Sequence, residues 1–198
     1  DLITNVSHDI KTPLTSIINY VDLLKRENIQ DPKIQGYLDI LEAKAQRLKH
    51  LTEDVVEASK ISSGNITMEY MNINFVEMIN QTTGEFAEKF EKRNLQIVLN
   101  VPEKPVMVRT DGRRMWRVIE NIYNNAAKYA LEGTRVYADL IEKEHTVEFS
   151  LKNISEQPLN ISADELTERF IRGDVSRSTE GSGLGLSIAK NLTELQGG

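Results

Sequence analysis

Apolar residues recur at alternating three- and four-residue intervals near the start of the chain. They are Ile3, Val6, Ile10, Leu14, Ile17, Val21 and Leu24. This spacing forms one stripe along an α-helix and is typical of a coiled coil or a helix bundle. After a polar break that contains Asp31 and Pro32, a second series follows with Ile34, Leu38, Leu41, Ala45, Leu48 and Val55. The pattern predicts two long helices, the second of which ends in the polar run at residues 62–65.

Two such helices joined by a short connection form a hairpin that buries its apolar stripes only in part. A lone hairpin is also a thin core for an independent domain. Pairing two hairpins into a four-helix bundle buries the remaining apolar stripes and enlarges the core, so we expect a homodimer.

Beyond Gly64 short β-rich runs alternate with helical runs, which predicts a domain that mixes helices and strands. We expect strands at residues 66–70, 95–101, 106–109, 134–142 and 146–153, and helices at residues 75–92, 111–130 and 184–195. Residues 155–182 are polar and lack periodicity, which is typical of a long loop over a site, with a short helix near residues 163–170.

Composition narrows the classes of function. Hydrophobic residues make up 39% and charged residues 27% of the chain, which is typical of a globular protein with a real core. A net charge of -6 without a long basic run argues against nucleic acid as the partner. The chain lacks an eighteen-residue apolar stretch and a signal-peptide pattern, so we expect this fragment to be cytoplasmic and without membrane contact. The absence of cysteine excludes a thiolate nucleophile and Cys-ligated zinc.

His8 lies between two positions of the first apolar stripe, so the helix should direct it away from the stripe toward solvent. An exposed histidine is usually ordinary surface, but its neighbours favour a chemical role. Thr12 is about one turn further along the same side, and Asp9 can orient or deprotonate the imidazole, whose neutral form is the nucleophile. Pro13 either begins a separate helix or bends a continuous one just past His8. The unbroken apolar spacing favours a continuous helix.

A second polar cluster lies on the helix predicted at residues 111–130. Asn121, Asn125 and Lys128 are spaced four and then three residues apart, so they share one face that can meet Mg²⁺ and phosphate oxygens. Taken by itself, such a face is more often solvated surface. Because the opposite side of this helix is apolar, its polar side is left free for a ligand.

A glycine-rich segment precedes the last predicted helix. Its sequence is Gly181-Ser182-Gly183-Leu184-Gly185-Leu186. Glycines at such a place allow backbone N–H groups to approach phosphates at the amino terminus of a helix. One glycine-rich turn is weak evidence, but it gains weight from the asparagine cluster in the same chain.

These motifs together resemble those of sensor histidine kinases of two-component systems. Residues 7–15, Ser-His-Asp-Ile-Lys-Thr-Pro-Leu-Thr, resemble the H box of that family, and residues 121–129 its N box. Residues 168–174 resemble the F box and residues 181–190 the second glycine box, in the order that the family has. The resemblance implies a helical hairpin that forms a dimeric four-helix bundle, followed by an α+β two-layer sandwich ATP-binding domain of the histidine kinase/gyrase type.

The resemblance divides the chain into a dimerisation and histidine phosphotransfer domain at residues 1–64 and a catalytic ATP-binding domain at residues 65–198, the latter without its C-terminal strands. It implies an ATP-dependent kinase in which His8 accepts phosphate and passes it to an aspartate of a response-regulator receiver domain. Asp9 would assist this transfer, and Thr12 would position water for phosphatase activity. The family also implies a parent protein anchored in a bacterial membrane.

The resemblance further implies ATP and Mg²⁺ as ligands, with Asn121 and Asn125 at the metal. The residues that it places at the nucleotide are Asn121, Asn125, Lys128, Tyr129, Asn153, Phe170, Arg172, Gly181, Gly183, Leu184, Gly185 and Leu186. Gyrase-type ATPases have a glutamate at position 121 to activate water. An asparagine cannot be that base, which argues against a gyrase-like ATPase.

The chain departs from the family pattern after the strand predicted at residues 146–153. The family has Asp-x-Gly-x-Gly there, and its aspartate accepts a hydrogen bond from the adenine amino group, whereas this chain has Asn-Ile-Ser-Glu-Gln from residue 153. Asn153 can still accept that hydrogen bond, but as a neutral acceptor it should bind more weakly. The missing glycines leave an alternative open, namely a dimeric pseudokinase scaffold that binds nucleotide without transferring phosphate.

Overall fold

The computed structural model describes the backbone of residues 2–156 and 184–198, and the side chains from residue 9 onward within those ranges. The described residues divide into two compact units, one of residues 2–66 with Leu184 and the other of residues 67–156 with 185–198. The short helix predicted near residues 163–170 lies outside the described residues.

The first unit is a hairpin of two helices, α1 (Leu2–Arg26) and α2 (Pro32–Ser62). The helix α1 continues through Pro13, so the interpretation of this proline as a helix start is wrong. At the start of α2 the Asp31 carboxylate accepts hydrogen bonds from the amides of Lys33 and Ile34, and Pro32 occupies the first turn, where its missing N–H costs nothing. Neither α1 nor any other helix in the described part of the chain is long and apolar enough to cross a bilayer.

One copy of the hairpin covers only part of its apolar surface. The apolar residues of the hairpin that are buried within one chain are Leu14, Val21, Leu38 and Ala45. The large apolar residues that stay exposed are Ile10, Ile17, Tyr20, Leu23, Leu24, Ile34, Tyr37, Ile40, Leu41, Leu48 and Val55. Fully burying one such side chain stabilises a protein by about 1.5–3 kcal/mol, so this surface favours contact with other apolar groups.

The described part of the second unit combines three helices with five strands. In chain order they are β1 (Tyr70–Asn74), α3 (Phe75–Glu91), β2 (Gln96–Asn100), β3 (Met107–Asp111), α4 (Gly112–Tyr129), β4 (Arg135–Glu142), β5 (Val147–Lys152) and α5 (Gly185–Leu195). The three predicted helices and four of the five predicted strands are confirmed, with ends that shift by at most two residues.

The first predicted strand, residues 66–70, is wrong. The observed strand begins at Tyr70, which pairs with Asp111, and the antiparallel register runs on to Asn74 opposite Met107. Because β3 ends at Asp111 and α4 begins at the next residue, β3 cannot extend to pair with residues 66–69, and no other described strand pairs with them.

The strands β2, β4 and β5 form a sheet in the order β2-β4-β5, parallel between the first two and antiparallel between the last two. Its inner face carries Val136, Ala138 and Leu140 of β4, which are all buried. Val136 and Leu140 belong to one hydrophobic core with side chains of α3 and α4, including Ile79, Phe90, Ile119 and Tyr123. A helical hairpin followed by an α+β sandwich is the fold class that the sequence predicts.

The helix α4 is held at its start and in its middle. The Asp111 carboxylate accepts hydrogen bonds from the amides of Glu69 and Arg114, at 3.0 and 3.1 Å. Burial by itself would raise the pKa of Asp111, but these amides and the Arg114 charge outweigh it and lower that pKa. In the middle of the helix the hydroxyl of the fully buried Tyr123 lies 2.8 Å from Thr83 Oγ1.

The end of α5 is tied to the start of α4. The Gln196 side-chain oxygen accepts hydrogen bonds from the Thr110 hydroxyl at 2.5 Å and from the Asp111 amide at 2.8 Å. This residue follows directly on α5, so the two helices cannot shift along each other without breaking both bonds.

Candidate active site

His8 lies within α1, several residues from the start of the helix, and its side chain is outside the described residues. The side chains of Asp9 and Thr12 are exposed. Pro13 leaves the carbonyl of Asp9 without its usual helical donor, and in the next turn the Thr15 hydroxyl donates to the Lys11 carbonyl at 2.8 Å. Both features favour a bend in a helix, and the bend just past His8 stays a prediction.

On α4 the predicted nucleotide residues are exposed to different degrees. Asn121 is only 9% exposed, whereas Asn125, Lys128 and Tyr129 are half-buried. The Lys128 ammonium lies 4.7 Å from the centre of the Tyr129 ring, within the range of a cation–π contact. The Lys128 side chain is thus held near the last turn of α4.

The glycine-rich start of α5 lies against Asn121. A Cβ atom added to Gly185 would lie 3.2 Å from the Asn121 side-chain oxygen, so the missing side chain allows this close approach. Leu184 and Leu186, on either side of this glycine, are half-buried. The structure therefore brings together one residue of the N box and one of the second glycine box.

The amide nitrogen of the Asn121 side chain is a suitable hydrogen-bond donor for a phosphate group. Its Nδ2 atom is buried and has no hydrogen-bond partner among the residues that the structure describes. A buried donor without an acceptor costs about 1–3 kcal/mol, and a phosphate oxygen is a suitable acceptor. Rotating the carboxamide by 180° presents its oxygen instead, which is the kind of atom that Mg²⁺ prefers.

Asn153 is not brought to this place. Its side-chain amide donates to the Ile154 carbonyl at 3.3 Å, and the residue is exposed. It lines a cavity of about 420 Å³ together with Thr134, Arg135, Tyr137, Lys152 and Ile154. Among the described residues, the wall of that cavity holds none of those predicted on α4 or α5.

Four predicted residues, Phe170, Arg172, Gly181 and Gly183, lie outside the described residues. Within the described ranges no group of three His, Asp or Glu side chains is placed to hold a metal ion. A metal at Asn121 would therefore depend on amide and phosphate oxygens as ligands.

Two ion pairs near this site were not predicted, one between Arg93 and Glu156 and one between Arg117 and Glu120. The guanidinium of Arg93 donates to the carbonyls of Ala127 and Lys128 at 3.0 and 2.5 Å, and it lies 3.2 Å from the Glu156 carboxylate. These partners are 34, 35 and 63 residues away from Arg93, so no local motif links them. The pair of Arg117 and Glu120, 2.7 Å apart beside Asn121, was also missed, although its three-residue spacing on a helix was a usable signal.

Two protein-family models match the chain. Residues 1–64 match the His Kinase A (phospho-acceptor) domain, and residues 110–198 match the histidine kinase-, DNA gyrase B-, and HSP90-like ATPase. The chain is 33% identical over 201 residues to the sensor protein VanSC of Enterococcus gallinarum, in an alignment that covers all of this chain and 55% of that protein. The chain thus spans about half the length of this relative.

Solved structures agree on the fold. Full-length ShkA in complex with AMPPNP matches with a TM-score of 0.78 and 21% identity, over 99% of this chain and 41% of that one. Histidine kinase ThkA in complex with the response regulator protein TrrA matches with a TM-score of 0.62 and 24% identity, over 100% of this chain and 55% of that one.

The fold and the site define a class of protein, in which a helical phosphoacceptor hairpin is joined to an ATPase-type α+β domain. The chain belongs to the sensor histidine kinases of two-component systems.

Proposed function

We propose that this chain is the catalytic core of its kinase, in which ATP held on α4 and α5 phosphorylates His8. The observation that carries the proposal is the buried Asn121 amide beside Gly185, which has no hydrogen-bond partner in the described ranges, in a chain that also holds a phosphoacceptor hairpin. The nucleotide is the group that supplies the missing acceptor.

The proposed reaction is a phosphoryl transfer to nitrogen. A ring nitrogen of His8 forms a bond to the γ-phosphorus, and the bond from that phosphorus to the β–γ bridging oxygen breaks, so ADP leaves with the electron pair. The imidazole must be neutral to attack, and its remaining ring proton passes to the Asp9 carboxylate or to water.

The residues of α4 and α5 hold and orient the nucleotide. Asn121, Asn125 and Lys128 bind the phosphates, with Tyr129 beside them, and the backbone around Gly185 allows close approach. Mg²⁺, when bound through the oxygens of Asn121 and Asn125, neutralises part of the phosphate charge. Leu184 and Leu186 flank the phosphates, and Phe170, Arg172, Gly181 and Gly183 complete the proposed set.

The same geometry favours transfer over hydrolysis. Asn121 cannot act as a general base, and the neighbouring acid, Glu120, is engaged with Arg117 at 2.7 Å. Water is therefore not activated in the way that a gyrase-type glutamate would activate it.

We propose an aspartate of a response-regulator receiver domain as the acceptor of the phosphoryl group from His8. The support is the fold shared with ThkA, which is complexed with the response regulator TrrA. Thr12, exposed on α1 four residues after His8, would position the water that hydrolyses the phosphoaspartate of the regulator, which is the proposed phosphatase activity. As in other sensor kinases, the parent protein would be anchored in a membrane.

The test of this function is incubation with ATP labelled in its γ-phosphate, in the presence of Mg²⁺. Acid-labile and alkali-stable label on the chain is the expected result for phosphohistidine. Nucleotide binding without any label would contradict the kinase and support a pseudokinase scaffold.

The exposed stripe of the hairpin predicts a homodimer. Light scattering at micromolar concentration should give twice the mass of the chain. Ile17 is 49% exposed on that stripe, so Ile17→Glu should shift the mass toward that of one chain. Asn19→Glu, on the other side of α1, is the matched control and should stay dimeric. A parent chain with the mass of a single copy would contradict the prediction.

Asn153 is proposed to accept a hydrogen bond from the adenine amino group. The Asn153→Ala variant should bind ATP several-fold more weakly than the parent, since a net hydrogen bond contributes about 0.5–1.5 kcal/mol. Inosine triphosphate lacks that amino group, so its affinity should be the same for both proteins. Calorimetry measures both ligands, and Lys152→Ala, on the same cavity, is the control. A variant that binds ATP as well as the parent would rule out this contact.

A further inference from the structure

The last turn of α4 carries Lys128 and Tyr129, and its last three backbone carbonyls accept hydrogen bonds from donors outside the helix. A helix leaves its final carbonyls without intrahelical donors. Here Ala126 accepts from the Ala130 amide, Ala127 and Lys128 accept from Arg93, and Tyr129 accepts from the Glu156 amide at 2.9 Å. Two of the four carbonyls thus depend on one side chain that comes from the turn between α3 and β2.

The segment that follows β5 is fastened to the same place. The Leu131 amide donates to the Ile154 carbonyl at 2.8 Å, and Ala130 and Ser155 form an antiparallel bridge. The Glu156 carboxylate then reaches the Arg93 guanidinium at 3.2 Å. The glycines of the family pattern are missing in this stretch, which is instead held by one ion pair and two backbone hydrogen bonds.

We propose that Arg93 and Glu156 are positioning residues for nucleotide binding, which fix the last turn of α4 so that Lys128 and Tyr129 are held ready for the phosphates. A planar guanidinium can donate to two carbonyls and a carboxylate at once. A cation at the carboxyl end of a helix also interacts favourably with the helix dipole. This inference rests on the proposed function, because it assigns a role at the same site.

Arg93 touches neither Asn121 nor Gly185 in the described structure, and it acts through Lys128 and Tyr129. A neighbouring pair provides a matched comparison. The Asn94 side-chain amide donates to Glu132 at 3.0 Å and joins the same turn to the connection between α4 and β4, but it does not touch the last carbonyls of α4. If the loss of Arg93–Glu156 only destabilised this region, the loss of Asn94–Glu132 should weaken ATP binding as well.

The experiment measures the dissociation constant for ATP in Arg93→Gln, Arg93→Lys, Glu156→Gln and the control Glu132→Gln, with thermal unfolding of each. We expect about a tenfold weaker affinity for Arg93→Gln, because two charge-assisted hydrogen bonds to the helix end are lost. Glu156→Gln should lose less, and Arg93→Lys should recover part of the loss, since one ammonium cannot replace the guanidinium fork. Glu132→Gln should bind like the parent.

A double-variant cycle separates positioning from simple stabilisation. If Arg93 acts through Lys128, then Arg93→Gln should weaken ATP binding less than about twofold in the Lys128→Ala background. An undiminished tenfold loss there, an equal loss in Glu132→Gln, or parental affinity in Arg93→Gln would overturn the proposal. If Arg93→Gln does not fold, parental affinity in Glu156→Gln overturns it. A parent chain that neither binds ATP nor becomes labelled would defeat the proposed function itself.

Discussion

Replacing His8 with glutamine is expected to abolish the transfer of label from ATP to the chain and to leave ATP affinity within about twofold of the parent. Glutamine keeps the side chain polar but has no nucleophilic nitrogen, because its amide lone pair is delocalised. The nucleotide residues on α4 and α5 are unchanged in this variant. It should therefore lose phosphoryl transfer while its affinity for ATP is retained.

The chain supplies its own controls for this result, since it contains two further histidines, His50 on α2 and His145 between β4 and β5. The variants His50→Gln and His145→Gln should be labelled at the parental rate, as measured by radiolabel retained after an alkaline wash and lost in acid. Persistent labelling of His8→Gln would show that the phosphate sits elsewhere and would remove the central assignment.

Asn121→Ala should weaken ATP binding and slow the labelling of His8 by about a hundredfold, which corresponds to about 2.7 kcal/mol. The side chain offers both a buried donor and an oxygen to the nucleotide, and alanine offers neither. Because the donor has no partner among the described residues, its removal relieves a desolvation cost. The variant should therefore be at least as stable as the parent while it is nearly inactive.

Asn124→Ala is the matched control on the same helix. The Asn124 side-chain oxygen accepts from Lys89 of α3 at 2.5 Å, so it is already engaged within the protein. We expect this variant to lose some stability and little activity, the opposite of Asn121→Ala. Calorimetry and thermal unfolding measure the two quantities on the same samples, and a stable, fully active Asn121→Ala would contradict the nucleotide site.

Most of the fold could be predicted from local patterns, because helix periods and strand alternation are properties of neighbouring residues. The strand at Tyr70–Asn74 could not, since its position is set by the register with β3, nearly forty residues later in the chain. Residues 66–69 have a plausible strand composition, but they pair with none of the strands that the structure describes.

In the candidate site, too, residues in local motifs could be predicted, whereas residues whose role depends on distant contacts could not. Asn121 and Gly185 are 64 residues apart, yet both could be predicted, because each lies in a motif whose chemistry is visible locally. Arg93 could not be predicted, because its role depends on which carbonyls the folded chain brings within reach. Asn153 was predicted by its place in a pattern, and the structure puts it beside a separate cavity, which is why its variant is informative.

Two contacts between α4 and α5, Gly185 with Asn121 and Gln196 with Asp111, must be made at the same time, so the spacing between them along each helix must match. From Asp111 to Asn121 is ten residues of α4, and from Gly185 to Gln196 is eleven residues along α5, so both contacts are met only by segments of nearly equal length. At about 1.5 Å per residue each segment is about 15–17 Å long. In evolution this stretch should therefore accept changes of residue type but reject insertions and deletions, since one added residue would misalign either the anchor or the glycine.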